Sequence, residues 1–97
     1  MLIDLSLSNT ALYDGCTIEE VAGRKNLTTP TADAIEIVGR NIAAIVATIP
    51  TNERHTVTLT GPMAVWAYII CFHAVVHVFR HVNYADARGE YLVAAHG

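Results

Sequence analysis

Thr56-Val57-Thr58-Leu59-Thr60-Gly61-Pro62 opens the stretch that decides the fold. Its first five residues alternate polar and apolar, the pattern of a half-buried strand. Gly61-Pro62 breaks the alternation, and the spacing predicts a helix from about Met63 to His77. Phe79–Tyr84 reads as a further strand. Asp86-Ala87-Arg88-Gly89 reads as a turn, and Glu90–Ala94 as the strand that closes a hairpin.

Upstream, Ile35, Val38, Ile42, Ile45, Val46 and Ile49 recur at helical spacing. Thr29-Pro30-Thr31 opens that helix with Pro near its first position, and Pro50 ends it. Thr17-Ile18-Glu19-Glu20 fits a capping box, which predicts a short helix stopped by Gly23. Arg24 to Thr29 then reads as loop. Ile3, Leu5 and Leu7 alternate with Asp4, Ser6 and Ser8 as a first strand. The order is roughly β-α-α-β-α-β-β. It predicts an α/β fold in a compact single domain spanning residues 1–97, with helices packed on a small mixed sheet.

The 97 residues are 53% hydrophobic and 15% charged, which excludes a disordered chain. So few charges predict apolar surface buried between subunits. With a net charge of −3 and six basic residues, a binder of long DNA or RNA is excluded, while a small anion held by a few convergent groups is compatible. Cys16 and Cys71 lie in unlike settings, which favours a reduced cytoplasmic compartment over a disulfide framework. The first residues carry no basic segment of the signal-peptide kind. No Asp, Glu, Lys or Arg lies between Arg54 and Arg80. The apolar run from Ala64 to Val78 falls short of the ~20 residues of a spanning helix and carries two histidines, so no membrane segment is expected.

Three groups could carry chemistry. At the Gly61-Pro62 corner, free N–H groups and the helix dipole favour an anion; turn geometry alone is the ordinary alternative. His73 and His77 are four apart, about 40° around a helix axis, with Trp66 and Ile70 on the same face. Such a pair can ligate one metal or act as acid and base, and it can equally pack at a subunit contact. Ala74 replaces the Glu that a zincin helix needs. Burying both imidazoles in an apolar helix would carry a desolvation cost. The third group is Asp86, Arg88 and His96. Asp86 suits a hard cation such as Mn²⁺ or Mg²⁺ and Arg88 suits phosphate, although Asp86-Ala87-Arg88-Gly89 is also an ordinary turn and His96 is next to the chain's last residue. Trp66, Tyr68, Phe72, Tyr84 and Tyr91 can stack on bases or fill a core.

Taken in order, Gly61-Pro62-Met63-Ala64-Val65-Trp66, His73, His77, Tyr84, Asp86-Ala87-Arg88-Gly89 and Ala95-His96 resemble the small CRISPR-associated ring nucleases of the third protein in the Csx series. The resemblance runs from Val57 to Gly97. It implies a Mn²⁺-dependent RNase that degrades cyclic tetra-adenylate, the second messenger of type III CRISPR antiviral defence. It also implies a dimer that sandwiches the ring against a second dimer. Carried over, His77, Asp86 and His73 are the catalytic candidates, Asp86, His96 and His77 the metal candidates, and Gly61, Trp66 and Arg88 the ring-binding candidates. The sequence departs from the family at Pro62, where an Arg is usual, and in a turn one residue shorter than usual. His73 and His77 stand one residue further apart than the family pattern; without a one-residue insertion, Val76 takes the catalytic place. The alternative is a module that binds or sequesters a cyclic nucleotide without cutting it.

Overall fold

The computed structural model describes residues 1–96. Its elements are β1 (Leu2–Asp4), β2 (Ile18–Val21), β3 (Arg24–Leu27), α1 (Thr31–Ala47), a 3-10 turn (Thr51–Glu53), β4 (Thr56–Thr60), α2 (Val65–Val76), β5 (His81–Asp86) and β6 (Gly89–Ala95). The order β1-β4-β5-β6 makes one mixed sheet; β2 and β3 pair only with each other. β1, β4 and β5 run parallel, and β6 returns antiparallel along β5. The expected α/β domain with helices on a small mixed sheet is the observed one.

Register assigns the faces. Ile3, Leu59, Tyr84 and Tyr91 form one row across all four strands, and Leu2, Thr58, Asn83 and Leu92 the next. Ile3 and Leu59 belong to the core with Val38, Ile42, Cys71 and Val75 of the helices. Leu2 and Leu92 lie on the other side and are well exposed. The two helices pack against each other and cover the first face only. α1 buries Ala34, Val38, Ile42 and Val46, one stripe at four-residue spacing. It starts at Pro30, whose carbonyl accepts from Ala34 N, and the Thr48 hydroxyl closes its end on the Ile45 carbonyl.

The capping-box helix does not form. Ile18–Val21 is a strand paired with Arg24–Leu27, the segment expected to be loop. Ala22 and Gly23 both adopt positive φ, 53° and 79°, the backbone of a tight hairpin turn. A helix of so few residues would not offset its own nucleation cost. Thr17 instead donates its N–H to Thr29 Oγ1, and its carbonyl accepts from both Thr28 N and Thr28 Oγ1, stapling the root of this arm. Two boundaries also move. The first strand ends at Asp4, where the carboxylate takes the Ser6 N–H and hydroxyl and turns the chain. β5 starts at His81 because Phe79 still bonds back to the Val75 carbonyl and buries its ring in the core. Between Val82 and Asn83 the β5–β6 register shifts: Val82 pairs with Ala94 but Asn83 with Leu92, which leaves Val93 as an extra residue. No helix among the described residues is long and apolar enough to cross a membrane.

Candidate functional site

The parallel strands deliver Asp4, Thr60 and Asp86 to one end of the sheet, their carboxyl end. Open α/β sheets hold ligands there. A cavity of about 350 Å³ opens between Thr60, Gly61, Pro62, Tyr68, Tyr84 and Asp86. Its polar groups are fixed from within. Tyr68 donates its hydroxyl to the Gly61 carbonyl at 2.5 Å, Thr60 Oγ1 donates to the Ala85 carbonyl at 2.7 Å, and Asp86 Oδ1 accepts the Arg88 N–H at 2.8 Å. The Tyr68 and Tyr84 rings meet edge to face, 5.6 Å apart. Burial first, then the neighbouring Tyr84, pushes the Tyr68 hydroxyl above its ordinary range. Asp86 and Arg88 are exposed on the hairpin turn, so both are free to meet a solute.

Gly61 has φ +105°, and its missing side chain is required by the chain itself: a Cβ would lie 2.4 Å from Asp4 Oδ1. The close approach expected of a ligand is made by Asp4 and Ser6. Trp66 is half-buried and packs against the core, so its indole fills space at the start of α2.

The histidines lie elsewhere. α2 leaves β4 at the carboxyl end and returns the chain to the start of β5, so His77 caps the helix at the amino end of the sheet. β6 also returns there, and His96 N donates to the Arg80 carbonyl at 2.6 Å. His77 and His96 share a cavity of about 270 Å³ with Phe79 and Arg80. His73 joins them, its ring 5.1 Å from that of His77 with planes at 82°. His73 and His77 are both exposed, which corrects the expected desolvation cost: neither imidazole is buried in the apolar helix.

Within one chain the candidate metal set is therefore divided. Asp86 and Arg80 are six strand residues apart, about 20 Å at ~3.3 Å per residue, and His96 sits beside Arg80. Among the described residues no three His, Cys, Asp or Glu side chains are placed to hold an ion together. The structure thus brings together Gly61, Asp86 and Arg88 at one end and His73, His77 and His96 at the other.

A second cleft, of about 580 Å³, adjoins the first at Pro62 and lies between the β2–β3 arm and the start of α2. Arg24 and Lys25 stand on its wall. The sequence reading passed over them as loop, although two of the chain's six cations are neighbours there, directly after Ala22-Gly23. An apolar groove of about 270 Å³ follows along α2 and the outer hairpin, lined by Leu59, Tyr68, Ile69, Phe72, Tyr84 and Val93.

A scan against protein-family models, a search of curated proteins and a search of solved structures each return no match.

Proposed function

We propose that the chain is a ring nuclease, which takes a cyclic oligoadenylate, cyclic tetra-adenylate first, at the carboxyl end of its sheet. The observation that supports this is that the Gly61 corner and Asp86 share a cavity on that end, with Arg88 on the adjoining turn, where strand ends and the open start of α2 favour an anion. In this reading Arg88 grips phosphate in a forked geometry. Cleavage needs the histidine end as well, so the catalytic set is completed only where the amino end of one copy meets the carboxyl end of another. Self-association belongs to the same reading: Ile69 and Val93 of the apolar groove are more than half exposed, as are Val65 at the start of α2 and Leu92 on the other face, and β6 stands at the edge of the sheet.

The division of Asp86 from His77 and His96 favours a second reading, sequestration of the ring without cutting. One experiment separates them. Purified protein is incubated with labelled cyclic tetra-adenylate, with and without Mn²⁺, and products are read by mass spectrometry. The expected result is Mn²⁺-dependent linear product. His77→Ala and Asp86→Ala are each expected to be inactive alone and to recover activity when mixed, because some interfaces then join an intact Asp86 to an intact His77. Both side chains are exposed, so the variants should fold. Capture of the ring with no product at any protein concentration selects sequestration. Absence of both capture and product overturns the proposal.

A further inference from the structure

We infer that the cleft under the β2–β3 arm is a phosphate-binding site, with Arg24 and Lys25 as its cations. The ligand class is a nucleotide phosphate or pyrophosphate group. The argument starts from the arm. Because Ala22 and Gly23 make a tight turn, Arg24 and Lys25 are the first two residues of the returning strand and are set at the arm's tip, both exposed. Both residues line a cleft of about 580 Å³, within the roughly 300–1,000 Å³ range of small-molecule sites.

The opposite wall offers donors at two places. Ser8 contributes a hydroxyl, and the segment from Pro62 to Ala64 leads into α2. Ala64 is the first half-helical residue and its side chain cannot cap, and the first N–H to be satisfied within the helix is that of Ala67, on the Ala64 carbonyl. Glu20 is the carboxylate on the wall, and it stands in register with Lys25 across the hairpin. Arg24 is in register with Val21, so no carboxylate stands opposite its guanidinium, whose planar fork matches a phosphate. Arg54, by contrast, is committed to the Ile49 carbonyl.

The proposed function bears on this inference only through the identity of the ligand; the cleft's chemistry stands without it. The two share Pro62, so a ring at Asp86 and Arg88 would reach the arm with a neighbouring phosphate.

The test uses ¹⁵N-labelled protein titrated first with inorganic pyrophosphate and then with cyclic tetra-adenylate. Pyrophosphate is expected to shift the amides of Arg24–Asn26 and Ala64–Trp66 saturably. The Arg24→Ala, Lys25→Ala double variant should weaken that binding about tenfold or more, the loss expected for a charge-assisted hydrogen bond. Arg24→Lys should retain part of it, and Arg40→Ala, a cation on α1, should leave it unchanged. Absence of saturable shifts, or equal affinity in the double variant, overturns the inference. Pyrophosphate bound at the arm with no response to the ring defeats the proposed function and leaves the arm site standing. Ring binding with silent arm amides and an unaffected double variant does the reverse.

Discussion

Gly61 shows how one residue can be read two ways. Its φ of +105° lies in the region that side chains avoid, and the space that a Cβ would fill is held by Asp4 Oδ1 at 2.4 Å, with the Ser6 and Leu5 amide nitrogens at 3.0 and 3.1 Å. The Asp4 carboxylate cannot easily retreat, because it accepts from Ser6 N at 2.8 Å and Ser6 Oγ at 2.9 Å. Gly61→Ala therefore combines backbone strain with displacement of a bonded carboxylate. The strain alone costs about 1–3 kcal/mol, and the clash adds to it. Urea unfolding should show a lower midpoint with an unchanged slope. An unchanged midpoint would mean that the β1–β4 corner yields without cost. The sequence marks Gly61 as special, but which neighbour demands it depends on a strand more than fifty residues earlier.

At the scale of elements, α2 carries its own pH dependence. It buries Ala67, Cys71 and Val75 at four-residue spacing toward the core and leaves His73 and His77 outside. Burial pushes the Cys71 thiol from an ordinary 9.0 up to about 12. Burial also raises the Tyr13 hydroxyl, which donates to the Leu5 carbonyl. Both folded values lie above the unfolded ones, so the native state keeps protons that the unfolded chain releases. Stability from this source is whole below the unfolded values and falls as pH climbs from about 9 toward the raised values. Urea midpoints should be flat near neutrality and drop above pH 9, more steeply in the parent than in Cys71→Ala; identical slopes would assign the alkaline loss to other groups. The elements also show where sequence was enough. β4 spans Thr56–Thr60 as its alternation says, since one face is core. The β2–β3 arm has no such face: Glu19, Glu20, Val21, Arg24, Lys25 and Asn26 are all exposed, so no apolar period marks it, and Ala22-Gly23 is not a strong turn pair. The split of the site was legible in principle. A hairpin turning at Ala87-Arg88 must carry His96 back beside Arg80, away from Asp86. What the sequence could not supply was the direction of α2 relative to β5, which places His77 at that same far end.

The whole molecule has more surface than its mass requires. Its 5987 Å² compares with about 5,400 Å² expected of a compact 10.5 kDa monomer. The excess fits a body with a projecting arm and an uncovered apolar groove. β2 and β3 pair with no strand of the main sheet, whereas β4 and β5 are bordered on both sides. Protection against hydrogen exchange should therefore divide in two. Amides of Glu19–Asn26 should exchange through local opening, orders of magnitude faster than those of Val57–Leu59 and Val82–Tyr84, which should exchange only through global unfolding. Exchange mass spectrometry of the intact chain reads this directly. Equal protection would mean that the arm and the body open as one unit.

The doubled residues Val93 and Ala94 opposite Val82 have a mechanical consequence. They act as a detent: for the outer ribbon to creep along its neighbour by one peptide, the kink would have to migrate with it and every flanking side chain would swap sides. The His96 imidazole is thereby delivered to the same spot in each molecule, although among the described residues β6 has a neighbour on one side alone.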